Sequence, residues 1–383
     1  MAPSPPPRLL LGPGPSMVHP KVSAAMAAPL VGHLDPFFLQ LLDRVQEDLR
    51  RLFRTENRLT LPISATGSAG MEACFANLVE DGDEAVIGVN GVFGARMVDV
   101  AERLGARVHR VEAPWGQIIE PAAVRAALAQ CTRPAIVAVV HAETSTGAWQ
   151  PLDEIAVLAR EHEALFVVDA VTSLGGCPVD VDAVGIDACY SATQKCISCP
   201  PGLAPVTFGE RAVARIRARR TKPRSWYLDM ALIGAYFGGE RVYHHTAPIV
   251  MIYALAQALE LLHEEGFAQR FARHERNHRA LMAGLSVLGL EAAAAEGHRL
   301  WMLNSVRVPD GVDEARVRQA LLLDHGIEIG AGLGPWKGKV WRIGLMGESS
   351  RRENVKRVLI ALGTELASGE TLTREAVSAA EAI

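Results

Sequence analysis

The spacing of apolar positions changes period along the chain, and the changes predict its elements. Between residues 35 and 55, Phe38, Leu41, Leu42, Val45, Leu49 and Leu52 recur every three or four residues with charges between them, the pattern of an amphipathic helix. Short apolar runs at 61–64, 84–89, 108–111, 135–140, 165–169 and 188–191 read as strands. Between them, 71–78, 93–104, 121–129 and 152–161 have helical spacing. Strands alternating with helices build βαβ units, so the expectation is an α/β fold with a mostly parallel sheet flanked by helices. After residue 249 the style becomes α+β: helices over 249–262, 267–288 and 313–323, strands over 303–308 and 340–343, and a final helix over 353–367. The expected division is an extended N-terminal arm over 1–20, a large domain over 21–265 and a smaller C-terminal α+β domain over 266–383.

Composition narrows the class. Of 383 residues, 49% are hydrophobic and 21% charged, which suits a globular chain and excludes a largely disordered one. A net charge of −4 gives no global basic field to draw in nucleic acid or an anionic membrane. No apolar run approaches the roughly 18 residues of a membrane helix. Six cysteines (Cys74, Cys131, Cys177, Cys189, Cys196, Cys199) sit mostly among apolar residues and read as reduced thiols. Six prolines in the first fifteen residues make an arm rather than a secretory signal, so the expected location is the cytoplasm.

Open α/β sheets bind ligands beyond the carboxyl ends of their strands, which directs attention to the residues just after each run. Thr66-Gly67-Ser68-Ala69-Gly70 follows a strand and opens a helix; it is either an anion-binding turn or an ordinary small-residue turn. The polar stretch 141–147 (HAETSTG) after the run at 135–140 is either a capped turn or a site lining. Asp169 closes the run LFVV, where a carboxylate needs a partner; it caps the next helix or holds a cationic nitrogen. Lys195 follows another strand end and precedes the small, apolar CISCPPG, where a dehydrated amine becomes a candidate Schiff-base nucleophile. Arg342, in the apolar stretch VWRIG, suits a bidentate carboxylate clamp. A lysine for an aldehyde, an aspartate for a pyridinium nitrogen, a helix start for phosphate and an arginine for an α-carboxylate together make the set that pyridoxal phosphate (PLP) requires.

The stretches LLLGPGPS (9–16), ISATGSAGMEA (63–73), GVNGVFGAR (88–96), HAETSTG (141–147), VVDAVTSLGG (167–176), YSATQKCISCPPG (190–202), TKPRSWYLD (221–229), YHHTAP (243–248) and AGLGPWKGKVWRIGLMG (331–347) occur in order over nearly the whole chain. With them the sequence resembles the fold-type I, class V aminotransferases of the alanine–glyoxylate, serine–pyruvate and serine–glyoxylate group. The resemblance implies PLP as cofactor and no metal. Lys195 would bond the cofactor aldehyde and then shuttle the proton, and Asp169 would pair with the ring nitrogen. Phe93 and Val171 would pack on the two ring faces, with Thr144 at its side. Thr66, Gly67, Ser68 and Gln194 would bind phosphate, joined by Tyr243 and Thr246 from the second subunit of a homodimer. Arg342 would hold the substrate carboxylate. The implied reaction moves an amino group from alanine or serine to glyoxylate or pyruvate by a ping-pong route; the alternatives are ureidoglycine–glyoxylate and pyridoxamine–pyruvate types. The sequence departs from close relatives in Phe93, where they often have Trp, and in Ser68, where they often have His.

Other readings are weaker. Cysteine desulfurases of the same fold need a reactive cysteine well after the lysine, and none follows Cys199. A zinc deaminase would need Pro where Lys195 precedes Cys196. The glycines at 330–334 do not open a helix after a βα turn, which removes a dinucleotide loop. Seven basic residues over 211–224 lack interleaved aromatics and read as a solvated helix face rather than a nucleic-acid patch.

Overall fold

A computed structural model describes residues 4–383, so the first three residues of the predicted arm lie outside the described residues. The helix expected near 35–55 runs over Pro36–Phe53: Asp35 caps it by accepting from the Phe37 N–H at 2.8 Å, and Pro36 fits its first turn. It stops at Arg54, whose left-handed backbone ends the helical hydrogen bonding, and its apolar stripe is buried from Phe38 to Phe53.

The strands in chain order are β1 (Leu9–Leu10), β2 (Leu59–Ile63), β3 (Glu84–Val89), β4 (Arg107–Glu112), β5 (Pro134–Val140), β6 (Ala142–Glu143), β7 (Ala148–Trp149), β8 (Leu165–Asp169), β9 (Ala188–Tyr190), β10 (Ala204–Phe208), β11 (Leu303–Arg307), β12 (Ile327–Glu328), β13 (Gly330–Ala331) and β14 (Val340–Gly344). Seven form the main sheet in the order β2-β10-β9-β8-β5-β3-β4, with only β10 reversed relative to its neighbours. The central strands are buried along their length, as expected for a parallel sheet covered on both faces. Their carboxyl ends bring residues 141–147, Asp169 and the segment after Tyr190 to one edge.

One core spans the main sheet and its helices up to Leu262. A second gathers the antiparallel sheet β11-β14-β13 with the helices Glu314–Leu323, Arg352–Glu365 and Glu370–Glu381. The arm contributes to this second core: β1 pairs in parallel with β12, and Leu9 and Leu11 are buried there. The arm is therefore docked along its length from Leu9 to Ser16 rather than free.

The pattern-based expectations miss several elements. The chain does not end its helices near 367, because Glu370–Glu381 forms one more. Its buried face consists of Ala376 and Ala380, which pack closely but give little hydrophobic contrast along the sequence. Strand β10 and the helices Glu210–Arg217 and Met230–Phe237 also escape the apolar pattern. β10 carries Pro205 as its second residue, which breaks the strand pattern.

Candidate active site

Asp169 ends β8 with its side chain buried, at 2% exposure. Its Oδ1 accepts the Val171 N–H at 2.8 Å and its Oδ2 the Tyr190 hydroxyl at 2.9 Å. Burial lifts its carboxyl to about 7, and those two hydrogen bonds only partly oppose the shift. Among the described residues no Lys, Arg or His forms an ion pair with it. A carboxylate so placed is suited to an incoming cation.

Lys195 follows β9 after the four residues 191–194, and its carbonyl accepts from Ser16 Oγ at 2.7 Å. Burial lowers its ammonium to about 8, so near neutral pH a useful fraction of the amine is uncharged. Its Nζ donates to the Pro13 carbonyl, which brings the docked arm directly over the lysine. The sequence reading missed this contact: it joins residues 182 positions apart, and no local spacing encodes it.

The polar stretch after β5 is both a cap and a site lining. Glu143 is fully buried and accepts from the Phe93 N–H at 3.1 Å, the Gly94 N–H at 3.4 Å, and both the N–H (3.0 Å) and hydroxyl (2.6 Å) of Ser145. It thus closes the start of helix Val92–Arg103 and fixes Phe93 at the site edge. The neighbouring Thr144 carbonyl accepts from Arg342 Nη1 at 3.1 Å. Arg342, central in β14, also donates from Nε to the Ala331 carbonyl at 2.7 Å. Burial brings its guanidinium down to about 10, still charged at neutral pH. The two carbonyls leave Nη2 and one proton of Nη1 for a carboxylate.

Helix Gly67–Leu78 opens beside these groups, and Thr66 leaves its hydroxyl out of the cap. A Cβ on Gly67 would stand 2.8 Å from Ala192 Cβ and 3.3 Å from Val171 Cγ2, so only glycine lets the helix start approach the turn before Lys195. Val171 therefore lies between the helix start and Asp169. Ser68 is exposed at the helix start, and the buried Oε1 of Gln194 has no hydrogen-bond partner. The structure thus gathers Thr66, Gly67, Ser68, Phe93, Thr144, Asp169, Val171, Gln194, Lys195 and Arg342 around one edge of the sheet. Tyr243 and Thr246 are not part of this group within the chain: their hydroxyls stand 3.4 Å apart, Tyr243 packs on His33, and its side chain is 58% exposed.

The set-aside readings also meet the geometry. His141 Nε2 accepts the Trp149 indole N–H at 2.8 Å, and Cys196 Sγ donates to the Thr172 carbonyl, so this pair forms no metal cluster among the described residues. Of the basic residues over 211–224, Arg211, Arg215, Arg220 and Arg224 face carboxylates and Arg219 binds backbone carbonyls.

The aminotransferase class V family model matches residues 20–351. The chain belongs to the class V aminotransferases. It is 40% identical over 373 residues to the (S)-ureidoglycine–glyoxylate transaminase of Bacillus subtilis, an alignment covering 93% of this chain and 89% of that protein. It is 41% identical over 361 residues to the alanine–glyoxylate aminotransferase of Callithrix jacchus, covering 93% and 87% of the two chains. The crystal structure of an alanine–glyoxylate aminotransferase from Nostoc sp. superposes with a TM-score of 0.94 at 50% identity, covering 96% of this chain and 97% of that one.

This aminotransferase is a PLP enzyme of fold type I. Its residues fit that cofactor: the buried Asp169 without a cation of its own, the lowered amine of Lys195 and the free N–H groups of the helix start at Gly67 are complementary to the cofactor's ring nitrogen, aldehyde and phosphate. No helix among the described residues is long and apolar enough to cross a membrane.

Proposed function

We propose that this chain transfers an amino group from alanine or serine to glyoxylate, or to pyruvate, by a ping-pong route as a cytoplasmic homodimer. The observation that carries the reading is that Lys195 lies close enough to Asp169 and Arg342 to feel both charges, while Arg342 keeps Nη2 free for one carboxylate. When bound, PLP supplies an aldehyde that bonds amines and a ring that withdraws the electron pair released at the amino acid's α-carbon. Lys195 would hold the cofactor's aldehyde carbon and hold or move a proton at its Nζ; in this structure that amine donates to the Pro13 carbonyl. Asp169 would hold the protonated ring nitrogen, and its burial would keep water from that pair. Phe93 and Val171 would pack on the two faces of the ring and Thr144 would lie at its side. Thr66, Gly67, Ser68 and Gln194 take the phosphate. Arg342 orients the substrate carboxylate, and a single clamp of this kind suits a small monocarboxylate donor.

Tyr243 and Thr246 complete the phosphate site of the partner subunit in this reading. An exposed aromatic group supports a covered face there: Trp226, 63% exposed, stacks on His244 at 4.4 Å, beside Tyr227 and Tyr243. A core over the main sheet up to Leu262 and a second over β11-β14-β13, which Leu9 and Leu11 of the arm join, support a large domain over 21–265 and a small domain over 266–383.

The visible spectrum of the purified protein tests the reading. A yellow band that bleaches with L-alanine or L-serine alone and returns with glyoxylate is the expected result. A band indifferent to both donors removes them as substrates, and no band after adding PLP removes the cofactor. The likeness to the B. subtilis transaminase favours a second reading, with ureidoglycine as the donor, and bleaching by that compound alone would select it.

A further inference from the structure

The groups assigned to phosphate share one electrical property: none carries a charge. Thr66 and Ser68 offer hydroxyls, Gly67 and Ser68 offer N–H groups that no helical carbonyl takes, and Gln194 offers an amide. A phosphate monoester carries about −1.5 to −2 near neutral pH. A helix start supplies only about half a positive charge. A cation is missing from the set.

Arg96 lies one helical turn after Phe93 on helix Val92–Arg103, so the two share a face. Its guanidinium carbon stands 4.9 Å from the centre of the Phe93 ring, and Nη1 lies 3.4 Å from Ser68 Oγ. It therefore touches both the residue that flanks the cofactor ring and the first turn of the phosphate-binding helix. Among the described residues no carboxylate forms an ion pair with Arg96, in contrast with Arg103 on the same helix, which is held by Asp99 at 3.0 Å. A guanidinium with unspent donors beside a neutral anion cradle is poised for a bidentate phosphate contact.

We propose that Arg96 is the cation that neutralises the phosphate of the bound cofactor. This role rests on the reading of Thr66–Ser68 as the phosphate end. The Phe93 ring orients the guanidinium from beneath, and Ser68 bridges it to the helix start. The contribution is expected at the phosphate, the anion that Ser68 and the helix start would hold beside Arg96.

The test compares PLP with pyridoxal, which has the same ring and aldehyde but no phosphate, by equilibrium dialysis against cofactor-free protein. Arg96→Gln should raise the Kd for PLP at least ten-fold while the Kd for pyridoxal stays within two-fold of wild type. Arg96→Lys should recover most of the loss for PLP, because it restores the charge without the fork. An R96Q protein that binds PLP within two-fold of wild type overturns the assignment. So does one that loses affinity for both compounds equally, which would make Arg96 a packing residue on Phe93. Should R96Q fail to fold, Arg96→Met and Arg96→Lys give the same comparison, since only the lysine keeps a cationic donor. Wild-type protein that takes up neither compound overturns the cofactor reading itself, and the role of Arg96 with it.

Discussion

Tyr190 and Asp169 lie in register on neighbouring parallel strands, and the tyrosine hydroxyl donates to the carboxylate at 2.9 Å. Because burial lifts this carboxyl from 3.8 to about 7, the folded cofactor-free protein holds the proton more tightly than the unfolded chain does. The stability it contributes is fully present below about pH 4 and is lost as the pH rises through about 7. Urea unfolding of the cofactor-free enzyme should show stability falling over that window, and Asp169→Asn should flatten the fall. Tyr190→Phe removes a donor that favours the ionised carboxylate, so it should move the fall to higher pH. Saturating PLP should suppress it by giving the carboxylate its cation. An unchanged slope in D169N would assign the titration to another group.

The docked arm makes Gly14 a sensitive position. A Cβ there would stand 2.8 Å from both Cδ and Nζ of Lys195, and the backbone has a φ of +110°, which side-chain-bearing residues rarely adopt. Gly14→Ala should cost about 1–2 kcal/mol of stability through backbone strain and lower kcat at least ten-fold by displacing the amine. Thermal unfolding and steady-state kinetics on the same preparation check both. Wild-type kinetics in G14A would show that the arm does not bear on Lys195 in the working enzyme.

How much of this was legible in the sequence depends on the range of the interaction. Asp169, Lys195 and Arg342 stand out because each is a charge set against apolar neighbours at a strand end or within a strand, and the parallel sheet then brings strand ends together. Gly67 and Thr66 are visible as a small-residue turn between a strand and a helix. Glu143 is half legible: its polar surroundings are plain, but its role as the buried cap beneath Phe93 depends on a helix fifty residues earlier. The arm over Lys195 and the alanine-faced helix Glu370–Glu381 are not legible, the first because it is a long-range contact and the second because packing of small side chains leaves no hydrophobic period. Tyr243 and Thr246 belong to the first kind of difficulty, since in the reading proposed above what they touch lies outside their own chain.

Arg342 keeps two donors against carbonyls and presents the rest of its fork outward. Arg342→Lys preserves the charge but cannot make a two-point contact while also holding Ala331 and Thr144. Its KM should rise more than ten-fold for both the amino donor and the oxo acid, with the visible band of the bound cofactor unchanged. Both substrates must be affected, because the ping-pong route uses one carboxylate site for each half-reaction. Unchanged KM values would place the carboxylate elsewhere.

Arg270 ties the lysine loop to the turn after β8, and the Glu265 it shares with Arg273 links both to the loop that follows β14. Its buried guanidinium donates to the carbonyls of Gly175 at 2.9 Å and Cys196 at 2.6 Å, and to Glu265 at 2.7 Å. Arg273 shares Glu265 and reaches the Gly347 and Ser350 carbonyls at 3.0 and 2.5 Å. Burial works against the charge on Glu265, but the hydrogen bond from Arg273 and the charge of Arg270 outweigh it and hold the carboxyl down at about 2. The stability from this pairing is therefore present above about pH 4 and is lost as the pH falls through about 2. Glu265→Gln should remove that part of the acid sensitivity. Arg270→Met should cost about 3–5 kcal/mol, because it strands a half-buried carboxylate and two carbonyls at once. Arg270→Lys restores one charge to Glu265 but cannot span Gly175 and Cys196, so it should regain part of the stability while kcat stays low. Recovery of full turnover in R270K would show that the charge alone matters and that the Cys196 carbonyl needs no such anchor to position Lys195.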